Sequence, residues 1–436
     1  MANAAVLESI ADPDYQTELG QYNIELNVSP RPLPGDSALE LEEALRRSLN
    51  EAEHKANAAG AHIVMIGILP TIMQQHFHTE WMSANPRYSA LNESVFAARG
   101  EDLLIDIASP TSPDRVTAFA DTIAPESACT SVQAAPAGQP AGVPGEPGTP
   151  RRRCSARRLA VGANSPYLFG KHLWAETRTV LFLQATDTRS VEPAQPGRAA
   201  AGVLRRAVDH LDLRPVRGER ALLPGAAAGG ERRGPGRRAG RRGAPRMQEP
   251  RLHNGTVYRW NRPVYDIVDG RPHLRVENRV LPAGPTVADV MANSAFYYGA
   301  LRVLSEEDRP VWTKMSLRHG RVELHRVRAP GHVGHRVLAG LRRACRPRSL
   351  VLRHLLPLAH EGLERWNVSK QVRERYLGII EARCKSGRNG AEWQVSTVRA
   401  LEARGHHRLS AVREMLRLYA GNMHSNEPVH TWEVPG

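Results

Sequence analysis

His273-Leu274-Arg275-Val276-Glu277-Asn278-Arg279-Val280-Leu281 is the stretch on which the fold turns. Successive residues of an extended chain face opposite ways. Arg275, Glu277 and Arg279 therefore share one face, and Leu274, Val276 and Val280 fall largely on the other. Pro285-Thr286 follows shortly after and opens a long apolar stretch, which predicts a helix over about 286–305. The same alternation marks residues 22–28, with Tyr22, Ile24, Leu26 and Val28 opposite Asn23, Glu25 and Asn27. A helix is predicted over roughly 37–59, with Asp36 or Ser37 placed to cap it. Residues 62–69 read as a buried strand, 102–107 as another, 128–133 as the start of a third and 256–261 as a fourth. The tail, 349–436, predicts several helices broken at 387–390 and at Gly405. Strands early and in the middle, with helices between and after, make the class α+β.

Three blocks interrupt this pattern: 134–159, 191–244 and 317–348. None contains Phe, Trp, Tyr or Lys, although the chain has 7 Trp, 10 Tyr and 6 Phe elsewhere. Arginines outnumber acids in them by five to one, twelve to five and nine to one, so the net charge of +14 resides in the blocks and the remainder is mildly acidic. Three readings compete. The blocks are basic arms for nucleic acid or acidic lipid, solvated low-complexity loops, or out-of-frame translations of GC-rich coding DNA. Each begins and ends abruptly between ordinary segments. With no aromatics and few aliphatic runs they are expected not to pack. The four Cys are widely spaced, with no zinc or disulfide pattern. No apolar run approaches the roughly 20 residues of a membrane span. No signal peptide is evident, and a cytoplasmic location is expected.

A carboxylate between two guanidiniums, Glu277 between Arg275 and Arg279, suits a divalent cation together with phosphate oxygens. The alternative is an exposed sheet face laced by surface ion pairs, which spacing alone favours. Glu25, between two Asn, invites the same caution. Trp260 and Arg262 offer an aromatic platform and an anion binder, or else an ordinary edge strand ending at Pro263. His76 and His78 lack a third ligand, and glycine-rich phosphate loops are absent.

Several motifs carry a resemblance: Met65-Ile66-Gly67-Ile68-Leu69-Pro70-Thr71, Asn85-Pro86-Arg87-Tyr88 with Leu91-Asn92-Glu93, Ala128-Cys129-Thr130-Ser131-Val132-Gln133, GANSPYLFG at 162–170, RLHNGTVYRWNRP at 251–263, RVENRVLPAGPT at 275–286 and NGAEWQ at 389–394. Together they resemble the bacterial glutamate–cysteine ligase family of the carboxylate–amine ligase type, across essentially everything outside the blocks. The resemblance implies a single catalytic domain over 1–436, similar in fold to glutamine synthetase. Such a domain has an antiparallel sheet funnel backed by helices, with ATP and Mg²⁺ inside. It implies activation of a glutamate γ-carboxylate as an acyl phosphate, followed by attack of an amine such as cysteine. Carried over by position, Glu25 and Glu277 look like Mg²⁺ ligands, and Arg279 like the catalytic contact to ATP phosphate. Arg262 looks like a second nucleotide contact, and Asn164, Ser165, Arg178 and Trp260 like substrate-binding residues.

Two departures from the family pattern stand out. The family's first strand, of the form G-x-E-x-E, precedes the segment matched here by residues 22–28 and has no counterpart. The strand begun by Ser131-Val132-Gln133 runs into Ala134-Ala135-Pro136-Ala137-Gly138, where proline cannot donate to a central ladder. Part of the metal and nucleotide site is thus expected to be missing and the activity impaired. A nucleic-acid-binding protein using the Arg-rich blocks is the alternative from a different class.

Overall fold

The structure is a computed structural model that describes residues 3–138, 161–186, 260–268, 270–306 and 347–436. The basic blocks lie outside the described residues except at 134–138 and 347–348. Among the described residues the fold is mixed helix and small open antiparallel sheets, the α+β class expected, and no sheet closes into a barrel. No helix among them is long and apolar enough to cross a membrane.

The chain begins with α1 (Asn3–Ile10) and a short hairpin, β1 (Tyr15–Thr17) and β2 (Ile24–Leu26), then α2 (Ser37–Ala58). Leu45, Leu49, Ala52 and Ala56 form the inward stripe of α2 at helical spacing. Asp36 is its N-cap residue but makes no side-chain cap bond; its carboxylate instead accepts from the Ser369 hydroxyl. Next come α3 (Pro86–Arg99), β3 (Leu103–Ala108) and β4 (Arg115–Ala120), and a single helical turn α4 (Ala124–Ser127). In β3 the buried Leu103, Ile105 and Ile107 alternate with outward residues, as a one-sided strand requires.

β5 (Ala137–Gly138) pairs with β9 (Arg271–Asn278), which pairs with β8 (Asn261–Val268), giving the order β5–β9–β8. The first block therefore contributes its opening residues to the fold, and Ala134 is buried and bridged to Asn278. Between β5 and β8 lie the small hairpin β6 (Tyr167–Leu168) and β7 (Lys171–His172) and helix α5 (Arg178–Ala185). Pro263 does not end the strand but lies inside β8. An edge position tolerates the missing N–H.

Three expected strands are corrected. Residues 62–69 form no ladder: Ile66 and Ile68 are buried, but the backbone is held piecemeal. Tyr419 Oη donates to the Met65 carbonyl at 2.7 Å, and Gly67 N donates to the Asn164 carbonyl at 3.3 Å. A Cβ at Gly67 would stand 2.8 Å from Pro282, so close approach replaces pairing here. The strand at 22–28 shortens to Ile24–Leu26, and 128–133 makes only an isolated bridge, Ser131 to Pro282. Most of 256–261 lies outside the described residues, with Asn261 opening β8.

The largest core surrounds α6 (Val287–Ser305), capped by the Thr286 hydroxyl accepting from Asp289 N at 3.0 Å. Against it pack α2 and a long helical segment: α7 (Pro347–Leu350), a π-helical turn (Val351–Leu355) and α8 (Leu356–Arg365). Helix α9 (Lys370–Ser386) completes this core, capped by the Ser369 hydroxyl and stopped by left-handed Gly387. α6 and α8 cross at Gly299 and Gly362, where backbone meets backbone. α10 (Gly390–Ala403) and α11 (Arg408–Ser425) build a second core on Trp393, Tyr419 and Trp432.

Two buried carboxylates tie distant segments together. Asp289 of α6 meets Arg383 of α9 in a charge pair with both side chains almost fully buried, and it also accepts from Val429 N at 3.1 Å. Glu42 of α2 accepts from Arg375 and Tyr376, both at 2.7 Å, and from Asn426 at 2.8 Å.

Candidate functional site

A cleft of about 1880 Å³ opens between the β1–β2 hairpin, the start of α3, the β8–β9 hairpin and the faces of α2 and α6. One end is apolar, with Leu41, Leu45 and Leu49 of α2 facing Met291 and Tyr298 of α6; the other is densely charged.

β9 sets the charged end. Glu277 is only 5% exposed, so the face is not an open one decorated with ion pairs. Arg279 Nε donates to Glu277 Oε1 at 3.0 Å, and Arg262 Nε donates to Oε2 at 2.7 Å. The second guanidinium is thus Arg262, not Arg275. Register explains the exchange: Arg262 stands directly opposite Glu277 across the β8–β9 ladder. Arg275 turns instead to Asp266 at 3.4 Å and His273 Nε2 at 2.8 Å.

Glu25 of β2 also lines the cleft, with a long 3.5 Å contact from Gln133 Nε2. Burial raises its pKa, as does the nearby Glu18 carboxylate, while Arg279 and Arg262 pull it down. Glu25, Glu277, Arg279 and Arg262 are therefore brought to one place. They do not form a divalent-cation site as they stand: both Glu277 oxygens are taken by guanidiniums. No group of three His, Cys, Asp or Glu among the described residues is arranged to hold a metal.

Arg178 and Trp260 border the same cleft. The Arg178 guanidinium is buried and fully engaged, by Glu176 Oε1 at 2.8 Å and by the carbonyls of Arg279 and Val280. It lies 5.2 Å from the Trp260 ring centre, and Phe182 packs on the same indole at 4.5 Å. Arg178 thus holds the backbone that carries Arg279. Asn164 and Ser165 are not brought to the cleft. Asn164 donates to the Ala283 carbonyl and to Tyr419 Oη, both at 2.7 Å, and accepts from Gln394 at 2.8 Å. A Cβ on Gly390 would stand 2.1 Å from Asn164 Oδ1, leaving no room for a ligand there. Ser165 Oγ accepts from Arg178 N at 3.3 Å. His76 accepts from Met73 N within its own turn, and His78 faces Asp121; neither lines the cleft.

Glu18, Arg87 and Glu126 are among the cleft residues that carry no role in the sequence reading. The available signals were a lone acid in the apolar run Ile123-Ala124-Pro125 to Ala128, and an arginine just after the helix-opening Asn85-Pro86. Burial first, then the Glu18 charge, push the Glu126 carboxyl up to about 8, against the pull of Arg279. The folded protein therefore holds this proton more tightly than the unfolded chain, whose value is near 4.5. Stability contributed here is full below the lower value and is lost as pH rises toward the higher one. Glu126→Gln should accordingly melt about where wild type does near pH 4, and above it by about a few degrees near pH 9, in calorimetric scans. An equal shift at both pH values would contradict the assignment.

No family model matches the chain, and no curated protein is significantly similar to it.

Proposed function

We propose that the chain is an ATP-dependent carboxylate–amine ligase of the glutamate–cysteine type, impaired by the three basic blocks. The observation that carries this reading is the pair of arginines, Arg262 and Arg279, fixed on buried Glu277 at the charged end of a deep cleft. Two guanidiniums held by one carboxylate keep net positive charge for phosphate oxygens, and the fixed geometry spares reorganisation as charge develops. In this reading Arg279 and Arg262 bind the nucleotide phosphates and Arg279 stabilises the transferring phosphoryl group. Trp260 and Arg178 shape the substrate side. The apolar end between α2 and α6 offers a place for the base.

ATP activates the γ-carboxylate of glutamate, and the amine of cysteine displaces phosphate. Mg²⁺ would arrive with the nucleotide, since the described side chains give it no ready site. The open sheet β5–β9–β8 stands for one wall of a glutamine synthetase-like funnel, and a cytoplasmic setting goes with the reading. The nucleic-acid alternative rests on the blocks, most of which lie outside the described residues.

The test joins the gene to the activity. The coding sequence across 134–159, 191–244 and 317–348, translated in all forward frames, should reveal ordinary strand and helix patterns in another frame. A chain with those frames restored should form γ-glutamylcysteine and ADP from ATP, L-glutamate and L-cysteine, at least about a hundredfold faster than the chain as it stands. That is a loss of about 2.7 kcal/mol in transition-state stabilisation. Restored frames that yield no ATP-dependent product would remove the ligase reading.

A further inference from the structure

The β3–β4 hairpin is a two-stranded sheet whose edges differ. Ser109 N donates to the Asp114 carbonyl at 2.8 Å, which fixes the phase of the ladder. Ile107 with Val116 and Ile105 with Ala118 exchange ladder bonds, while Asp106 with Thr117 and Leu104 with Phe119 are non-bonded pairs. The backbone N–H and C=O groups of the non-bonded pairs therefore point out of the hairpin. On the β3 side they are met. Asp106 N donates to Gln184 Oε1 at 2.9 Å and its carbonyl accepts from Gln184 Nε2 at 2.8 Å, while the Ala108 carbonyl accepts from Trp174 Nε1 at 2.9 Å. On the β4 side, no hydrogen bond reaches the backbone N–H and C=O of Thr117 and Phe119 among the described residues.

β4 also lacks the usual protections of a free edge: its register with β3 is continuous, and it contains neither proline nor lysine. Its one charge, Arg115, is engaged by Asp106 through Nε at 2.7 Å and Nη2 at 2.5 Å. Phe119 is 62% exposed and Leu104, directly opposite, is 39% exposed, so an apolar pair lies on the outer face beside the open edge.

Unmet backbone groups along an edge are completed by another strand. β4 is complementary to itself. Run antiparallel about a two-fold axis at Thr117, it sets Thr117 opposite Thr117 of a second copy, and Arg115 opposite the second copy's Phe119. These are the residues whose backbone groups point outward, so the ladder continues in phase. On the outer face each guanidinium meets a phenyl ring, and no like charges face each other. On the inner face Val116 falls opposite Ala118, continuing the apolar side. We infer that β4 is a dimerisation edge, at which two copies of this chain pair into one continuous sheet in the order β3–β4–β4–β3. The inference stands apart from the ligase reading, since β4 does not line the cleft.

Sedimentation of the full chain, with amide hydrogen exchange read along β4, tests it. The chain should pass from monomer to dimer across about 1–100 μM. The Thr117 and Phe119 amides should gain protection over the same range, while those of Val116 and Ala118, already in the β3 ladder, stay protected throughout. Phe119→Lys sets two cations opposite each other, and Thr117→Pro removes an outward N–H that β3 does not use. Each should weaken the dimer at least about tenfold. Both positions are on the exposed face of β4, so neither change opens the core. The exchange measurement on the unaltered chain carries the test even where a variant folds poorly. A monomer at every concentration would overturn the inference, as would a dimer whose Thr117 and Phe119 amides exchange freely. Amides protected at every concentration would overturn it too, by placing another part of the same chain on the edge. So would growth into open-ended aggregates, because two-fold pairing uses up the edge.

Discussion

Replacing Asp289 with alanine should cost the folded protein about 3–5 kcal/mol, read as a fall in the urea midpoint with the slope unchanged. The effect is large because the residue left behind is Arg383, only 2% exposed in the middle of the helical core. Its guanidinium would keep Asn293 Oδ1 at 2.8 Å and two carbonyl contacts, but no opposite charge. Val429 N would lose its acceptor at the same time. Removing the charge from both sides, with Asp289→Ala and Arg383→Met together, should be milder than Asp289→Ala alone, because no ion is then stranded in the interior. A double variant as damaged as the sum of the singles would show that the pair does not act as a unit.

The second large effect is expected where α6 and α8 cross. A Cβ on Gly362 would lie 1.8 Å from the Gly299 carbonyl oxygen, and one on Gly299 would lie 2.2 Å from that of Ala359. No flexible side chain can yield here, since both obstacles are backbone. Gly362→Ala should therefore cost about 3 kcal/mol or more, despite the roughly 1 kcal/mol that alanine gains over glycine in a helix. Gly378, whose added Cβ would meet nothing within 4 Å, is the control: Gly378→Ala should be neutral or stabilising in the same denaturation series.

Legibility from sequence divides along the range of the interactions. Local signals carried far: the helix opening at Pro285-Thr286, the break at 387–390 and the strand at 102–107 all depend on residues within a short stretch. The β9 alternation correctly grouped Glu277 with Arg279, yet the other guanidinium came from Arg262 on the neighbouring strand. No periodicity within one strand encodes its register with the next. The run at 62–69 has the composition of a buried strand and is buried. Its backbone is claimed by Asn164 and Tyr419, partners too distant in sequence to anticipate. Asn164 itself was placed near substrate by resemblance, and the structure spends its side chain on α10, α11 and the Ala283 carbonyl. Glu126 went unmarked because a single acid in an apolar run has no partner visible along the chain.

The shells around Glu42 and Asp289 also bear on how local opening spreads through the molecule. Asn426 donates to Glu42 and accepts from Ala288 N at 2.9 Å, while Val429 N closes on Asp289. If the segment at 426–429 lifts away, two carboxylates of the interior, one on α2 and one on α6, lose part of their enclosures at once. That cost couples the segment to the helical core, so the two open together and the segment does not fray alone.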